Sequence, residues 1–148
     1  MNSTTRLPIP KIRIGPPAQT FGDEIHTNIW GLALIPTRKG RRYFITFTDN
    51  ATRFTTFYLM RTKDEVLAAY KSFEAWALTQ GHCSAIKVLR SDHTGEYLSD
   101  HFNAHLAAVG TARKLTVHDT PQPNGIARRL NRTLLEQIRA FAHGSGLP

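Results

Sequence analysis

Asp92, at the end of a short apolar segment, is the first residue of this chain whose type and place could support chemistry. It lies in residues 89–97, LRSDHTGEY, among small polar neighbours. An aspartate at the carboxyl end of a strand is where α/β folds place ligand-binding groups. The alternative is structural, with the carboxylate only capping the backbone of its own loop. Asp92 is therefore a candidate site residue whose chemistry depends on its neighbours.

A second polar stretch, residues 120–136, opens the last predicted helix. Its sequence, TPQPNGIARRLNRTLLE, begins with a proline-rich turn and continues into an amphipathic helix expected over residues 126–143. At roughly 100° per residue, apolar positions gather on one face and basic positions on the opposite face. The basic positions are Arg128, Arg132 and Arg139, with Arg129 beside them. The pattern indicates either a helix face that binds a polyanion or a solvated charged face.

Another basic cluster lies in a predicted hairpin turn at residues 38–42, RKGRR. Its cations are Arg38, Lys39, Arg41 and Arg42. Such a cluster is typical of a loop that contacts phosphates or of a nuclear-localisation patch. The alternative is a turn that is merely solvated.

The elements that must position these residues change type along the chain. Residues 26–34, 43–48 and 53–60 are β-prone and separated by turns, which predicts three antiparallel strands. The apolar period then becomes three to four residues, so we expect a helix with Thr62 as its N-cap and Glu65 completing a capping box. Further on, the pattern predicts a strand at 85–89, a helix at 100–109, a strand at 114–117 and the last helix. This order predicts an α/β fold with a mixed sheet flanked by helices.

The composition fits one small basic domain. The chain has 148 residues, 41% of them hydrophobic, and a formal net charge of +8. We interpret residues 1–20 as an extended proline-rich arm and residues 21–148 as a single domain. The lone Cys83 excludes a disulfide framework and a cysteine-based zinc site. Without an apolar run of about 18 residues or a signal-peptide pattern, we expect an intracellular protein, nuclear or cytoplasmic, with no membrane partner and an attraction for polyanions.

Four motifs in these stretches carry a resemblance to a known family. They are HTNIWG at residues 26–31, RYFITFTD at 42–49, KVLRSD with GEY at 87–97, and the stretch at 120–136. In this order, over most of the chain, they resemble the integrase catalytic core of copia-type retrotransposons. The resemblance implies an RNase H-like fold, which agrees with the order of elements above.

The resemblance also implies three metal-binding positions, and this chain departs from the family at two of them. In the family, two aspartates and a glutamate hold two Mg²⁺ or Mn²⁺ ions for attack on a DNA phosphodiester. The first aspartate falls on Asn28, the second on Asp92, and the glutamate, after 35 intervening residues, on Arg128. The formal charge there changes from −3 to 0, and Arg128 could pair with Asp92 directly. We expect no resident cofactor, and at most a weak metal site at Asp92 joined by Asp49.

We therefore expect an integrase-core-like domain that lacks two-metal catalysis and keeps sequence-independent affinity for nucleic acid. One alternative is a residual metal-dependent nuclease or strand transferase that recruits Asp49, Asp92 and a further acid such as Asp119 or Glu96. The other alternative is a non-enzymatic module that associates with itself as a homodimer.

Overall fold

Five strands and two helices make up the part of the chain that the structure describes. The structure is a computed structural model, and the described residues are 17–34, 36–92 and 95–116, with Arg129, Arg132, Thr133 and Glu136. The strands are β1 (Ile25–Trp30), β2 (Tyr43–Asp49), β3 (Thr55–Met60), β4 (Val88–Ser91) and β5 (Ala112–Leu115). They form one sheet in the order β3-β2-β1-β4-β5.

The sheet is mixed, as the sequence predicted. β1 pairs with β2, and β2 with β3, in antiparallel register, whereas β4 lies parallel to both β1 and β5. Parallel neighbours need a crossover connection, which is usually helical. A 3-10 turn (Lys63–Glu65) and α1 (Val66–Thr79) connect β3 to β4, and a second turn (Gly95–Leu98) and α2 (Asp100–Val109) connect β4 to β5. The α/β fold with a mixed sheet is thereby confirmed.

Two predicted segments fall wholly or mostly outside the described residues. They are the proline-rich arm, of which only residues 17–20 are described, and the helix at 126–143, of which four residues are described. Within the described ranges, no helix is both long and apolar enough to cross a bilayer.

The core lies between one face of the sheet and the apolar side of α1. The helix buries Val66, Tyr70, Phe73 and Ala77, the positions with helical spacing that the sequence marks as apolar. The Phe73 ring stacks on Phe47 of β2 with centroids 4.7 Å apart. A helix whose apolar residues recur every three to four positions buries that stripe against the sheet, which is why periodicity alone located α1 correctly.

The ends of several elements differ from the prediction, because hydrogen-bond partners rather than apolarity set them. The Thr62 side chain makes no cap hydrogen bond, and Glu65 Oε2 accepts from the Arg61 backbone N–H at 3.0 Å instead. α2 is capped by Ser99, whose hydroxyl accepts from the Phe102 N–H at 3.3 Å. β4 begins at Val88, not at residue 85, since the Lys87 N–H donates to the Gly22 carbonyl, outside the β1–β4 ladder.

Candidate functional site

The register between β1 and β4 relates the Asn28 and Asp92 positions. The two strands are parallel, with Ile25 opposite Leu89 and His26 opposite Arg90, and these are the last paired residues. Asn28 follows His26 by two residues in β1, and Asp92 follows Arg90 by two, one residue beyond the end of β4. Continued by two residues, the same register would set Asn28 opposite Asp92. Arg128, the third position, lies outside the described residues.

Asn28 is a half-buried amide at the place where the resemblance calls for a carboxylate. It lies opposite Thr46 of β2, whose hydroxyl donates to the backbone carbonyl of Asn28 at 3.4 Å. An amide oxygen is neutral, whereas Mg²⁺ in proteins is held chiefly by carboxylates. In the described part of the chain, no group of three or more His, Cys, Asp or Glu side chains is arranged to hold a metal ion. Asn28 thus offers a neutral amide at the position where the family has a carboxylate.

A buried pair of hydroxyl groups, which the sequence did not predict, joins β1 to the turn that follows Asp92. Thr27 Oγ1 and the Tyr97 hydroxyl lie 2.8 Å apart, and Tyr97 is fully buried. Tyr97 belongs to the 3-10 turn that follows Asp92, and its carbonyl accepts from the Arg113 guanidinium of β5. The turn is thus attached to β1 on one side and to β5 on the other. Tyr97 is part of the GEY motif that contributes to the family resemblance. No local pattern in the sequence indicates that its partner is Thr27.

A charged cluster, also missed, lies on the same sheet face as Asn28 and Asp92. Glu24 Oε1 accepts from His26 Nε2 at 2.8 Å and from Arg90 Nε at 3.0 Å, and Lys114 Nζ lies 3.6 Å from Oε2. The hydrogen bond from His26, helped by Arg90, lowers the pKa of Glu24 to about 2.

One carboxylate in this cluster therefore faces three basic side chains from three adjacent strands. Residues two apart on a strand share a face, so His26 lies beside Asn28 and Arg90 beside Asp92. The arrangement makes the surroundings of the site more basic than acidic.

Asp49 lies away from Asp92 and is engaged by its own turn. It pairs with Ile25, whereas Asn28 lies three residues further along β1, about 10 Å away and on the opposite sheet face. The buried carboxylate accepts from the Gly22 N–H at 3.0 Å and from the Thr52 N–H and hydroxyl at 2.7 and 2.8 Å. This geometry lends no support to a metal shared by Asp49 and Asp92, and it gives Asp49 a structural part.

Comparison with known proteins shows what this chain is similar to. No family model matches the chain. Over 126 residues, which are 85% of the chain, it is 36% identical to the Retrovirus-related Pol polyprotein from transposon TNT 1-94 of Nicotiana tabacum. The chain is thus similar, over most of its length, to a segment of a copia-type retrotransposon Pol polyprotein. It spans only 9% of the length of that polyprotein.

The chain also has the same fold as one chain of a solved structure. It is the simian T-cell lymphotropic virus intasome in complex with PP2A regulatory subunit B56 gamma, with a TM-score of 0.68 and 14% sequence identity. The match covers 90% of the chain and 46% of the compared chain. The integrase-core-like fold expected from the resemblance is thereby confirmed, while the replacement of two metal-binding acids stays a prediction.

The basic turn at residues 38–42, which the sequence predicts to contact nucleic acid, is mostly exposed. Arg38, Lys39 and Arg42 are exposed, and Arg41 is half-buried. The turn is closed by hydrogen bonds from Gly40 to Thr37 at 2.8 Å and from Thr37 to Arg41 at 3.0 Å.

Two of the basic positions predicted for the last helix are also described. Arg129 is exposed, and exposed Arg132 forms an ion pair with Glu136 at 3.1 Å, which neutralises part of its charge. Arg128 and Arg139 fall outside the described residues.

Proposed function

We propose that this chain is an integrase-core-like domain that binds nucleic acid without catalysing phosphodiester transfer. The proposal rests on one observation, the amide of Asn28 two residues beyond His26, the last residue of β1 that pairs with β4. Continued to Asn28, this register would face its amide toward the Asp92 position. Two-metal catalysis needs several carboxylates to hold the ions and to offset their charge. The family chemistry uses an aspartate at each of these two positions. With Asn28 at the first, only the acid at Asp92 remains.

The charge around the site supports the same proposal. The Glu24 carboxylate faces the cations of Arg90 and Lys114, and the whole chain has a net charge of +8. A divalent cation is disfavoured by such surroundings, whereas a phosphate backbone is attracted to them. An arginine at position 128 would add to this effect, because a guanidinium can pair with the Asp92 carboxylate and leave no place for a metal.

The catalytic half of the proposal is tested by nuclease and strand-transfer assays on labelled duplex DNA in Mg²⁺ and in Mn²⁺. We expect no turnover above a buffer control with either ion. Turnover that disappears in Asp92→Ala would overturn the proposal, because it would assign catalysis to the retained carboxylate. Turnover that persists unchanged in Asp92→Ala would be traced to a contaminant.

The binding half is tested by fluorescence anisotropy with a short fluorescent duplex over a series of salt concentrations. Binding should weaken steeply with salt, since each phosphate contact contributes a slope of about −0.9 in log K against log salt. Lys39→Gln in the basic turn should reduce that slope by about one contact. Lys71→Gln, an exposed lysine of α1, is the charge-matched control and should leave the slope unchanged. Absence of binding at low salt, or equal effects of the two substitutions, contradicts the proposal.

A further inference from the structure

The outer strand β3 presents apolar side chains to solvent. β3 has β2 as its neighbour on one side and, among the described residues, no strand on the other. Phe57 and Leu59 are two residues apart on one face, and 56% and 41% of their surfaces are exposed. Natural proteins usually protect such an edge with charged side chains or prolines, because its free N–H and C=O groups invite pairing with another strand. An exposed phenylalanine and leucine on an edge strand therefore mark an interaction surface.

The apolar surface continues inward across the sheet. Leu59 lies opposite Phe44 of β2, and Phe44 lies opposite Trp30 of β1. The Phe44 and Trp30 rings stack with centroids 5.2 Å apart and planes at 24°. A partner bound at the β3 edge would therefore contact the end of a row of packed apolar side chains, Leu59, Phe44 and Trp30.

Three arginines flank this strand, and the Glu65 carboxylate lies at the Arg61 end, where it accepts from the Arg61 backbone N–H at 3.0 Å. Arg53 precedes β3 and Arg61 follows it, while the Arg42 N–H donates to the Met60 carbonyl at 3.1 Å, next to the end of the strand. All three are exposed, and in the described ranges none of the three guanidinium groups has an ion-pair partner. The surface is therefore apolar in the middle and basic at both ends.

We propose that β3 docks an extended peptide of another protein, with apolar side chains in its centre and acidic side chains at its ends. The peptide backbone would pair with the free edge of β3, which is strand addition. Its apolar side chains would pack on Phe57 and Leu59, and its carboxylates would meet Arg53 at one end and Arg61 at the other. This partner is distinct from nucleic acid, although its surface lies on the same sheet face as Asn28, because Phe57 pairs with Thr46 and Thr46 with Asn28. It also shares Arg42 with the basic turn proposed to contact nucleic acid.

The side chains favour a peptide over the other two candidate occupants. Of the two exposed apolar side chains of β3, only Phe57 offers a ring on which a nucleotide base can stack, whereas single-strand binders stack successive bases on several aromatic platforms. A second copy is disfavoured because antiparallel pairing of β3 with itself would set Arg53 against Arg61 of the copy. Neither argument applies to an acidic peptide.

The test uses the whole chain and a fluorescein-labelled peptide of alternating valine and threonine with two glutamates at each end. Anisotropy should show saturable binding, and Leu59→Lys should weaken it about tenfold or more, as expected for a central contact. Leu78→Lys is the matched control, since Leu78 of α1 is equally exposed at 40% and lies elsewhere. It should bind the peptide as the unaltered chain does. Equal effects of Leu59→Lys and Leu78→Lys, or no binding, overturn the proposal.

Two changes to the peptide keep the test decisive even if Leu59→Lys fails to fold. Methylation of alternate backbone nitrogens should abolish binding by blocking strand pairing, and replacement of the terminal glutamates by lysines should weaken it strongly. Unchanged binding of either peptide contradicts the proposal.

The rival occupants have their own readouts. If oligothymidine binds and Leu59→Lys abolishes that binding while the peptide fails to bind, the surface serves nucleic acid. If light scattering shows a dimer that Leu59→Lys dissociates, the surface serves self-association. Either result overturns the peptide proposal and leaves the proposed nucleic-acid function to be judged by its own duplex assay.

Discussion

The Thr27 and Tyr97 hydroxyls meet at 2.8 Å in the interior and join β1 to the turn after Asp92. Thr27 directly precedes Asn28, so this contact links the two halves of the candidate site through their backbones. Tyr97→Phe would leave Thr27 Oγ1 buried without this partner and should lower the free energy of unfolding by about 1–2 kcal/mol. Urea denaturation measures the loss.

The matched control for this substitution is Tyr43→Phe, at a half-buried tyrosine whose hydroxyl has no hydrogen bond in the described ranges. It should change the free energy of unfolding by less than about 0.5 kcal/mol. Adding Thr27→Val to Tyr97→Phe should recover part of the loss, because neither hydroxyl then remains buried alone. Equal losses from the two tyrosine substitutions would mean that the pair does not couple β1 to the turn.

The Glu24 cluster should make stability depend on pH below neutrality. The folded-state pKa of Glu24 is about 2, against an ordinary 4.5, so the native carboxylate binds fewer protons than the unfolded one between these values. Its stabilising contribution is therefore complete above about pH 5 and is lost as the pH falls toward 2. The difference in unfolding free energy between the unaltered chain and Glu24→Gln should shrink over that window. A flat difference for Glu24→Gln over that window would refute the prediction.

Asp49 should behave as a structural residue and not as a metal ligand. Its carboxylate accepts from Gly22 and Thr52 in a buried turn, so Asp49→Asn would turn an amide N–H toward a backbone donor. We expect a loss of about 1–3 kcal/mol in the free energy of unfolding. The melting temperature should fall equally with and without MnCl₂. A Mn²⁺-dependent stabilisation of the unaltered chain that vanishes in Asp49→Asn would instead make Asp49 a ligand.

Restoring the family's acids should restore metal binding. Because the register of β1 and β4, continued by two residues, would set Asn28 opposite Asp92, the double substitution Asn28→Asp and Arg128→Glu should create a carboxylate site that binds Mn²⁺. Ligand at a hundred times its Kd stabilises a folded protein by about 2.7 kcal/mol, which raises the Tm by several degrees. The control is Asn50→Asp with Arg129→Glu, which makes the same charge changes at other positions. A flat Mn²⁺ titration, or the same rise in the control, would show that the three positions do not converge.

Much of the fold was predictable because its signals are local. Alternating β-prone residues located β2 and β3, and helical spacing located α1 with its buried Tyr70 and Phe73. The element order then predicted a mixed sheet, and the spacing of the motifs predicted which positions would form the site. Thr62 is the N-cap of the 3-10 turn that opens the helix, as predicted, but the capping box is not formed, because its side chain makes no cap hydrogen bond and the Glu65 carboxylate accepts from the N–H of Arg61.

The contacts that build the site depend on pairings between distant segments. The parallel register of β1 and β4 aligns His26 with Arg90, two residues before Asn28 and Asp92, and no local pattern in either strand encodes that alignment. The partners of Glu24 and of Tyr97 come from other strands and turns for the same reason. Side-chain periodicity is a property of a short segment and can be read directly. Register and cross-strand contacts arise only when the crossovers bring separate segments together and their packing selects one alignment.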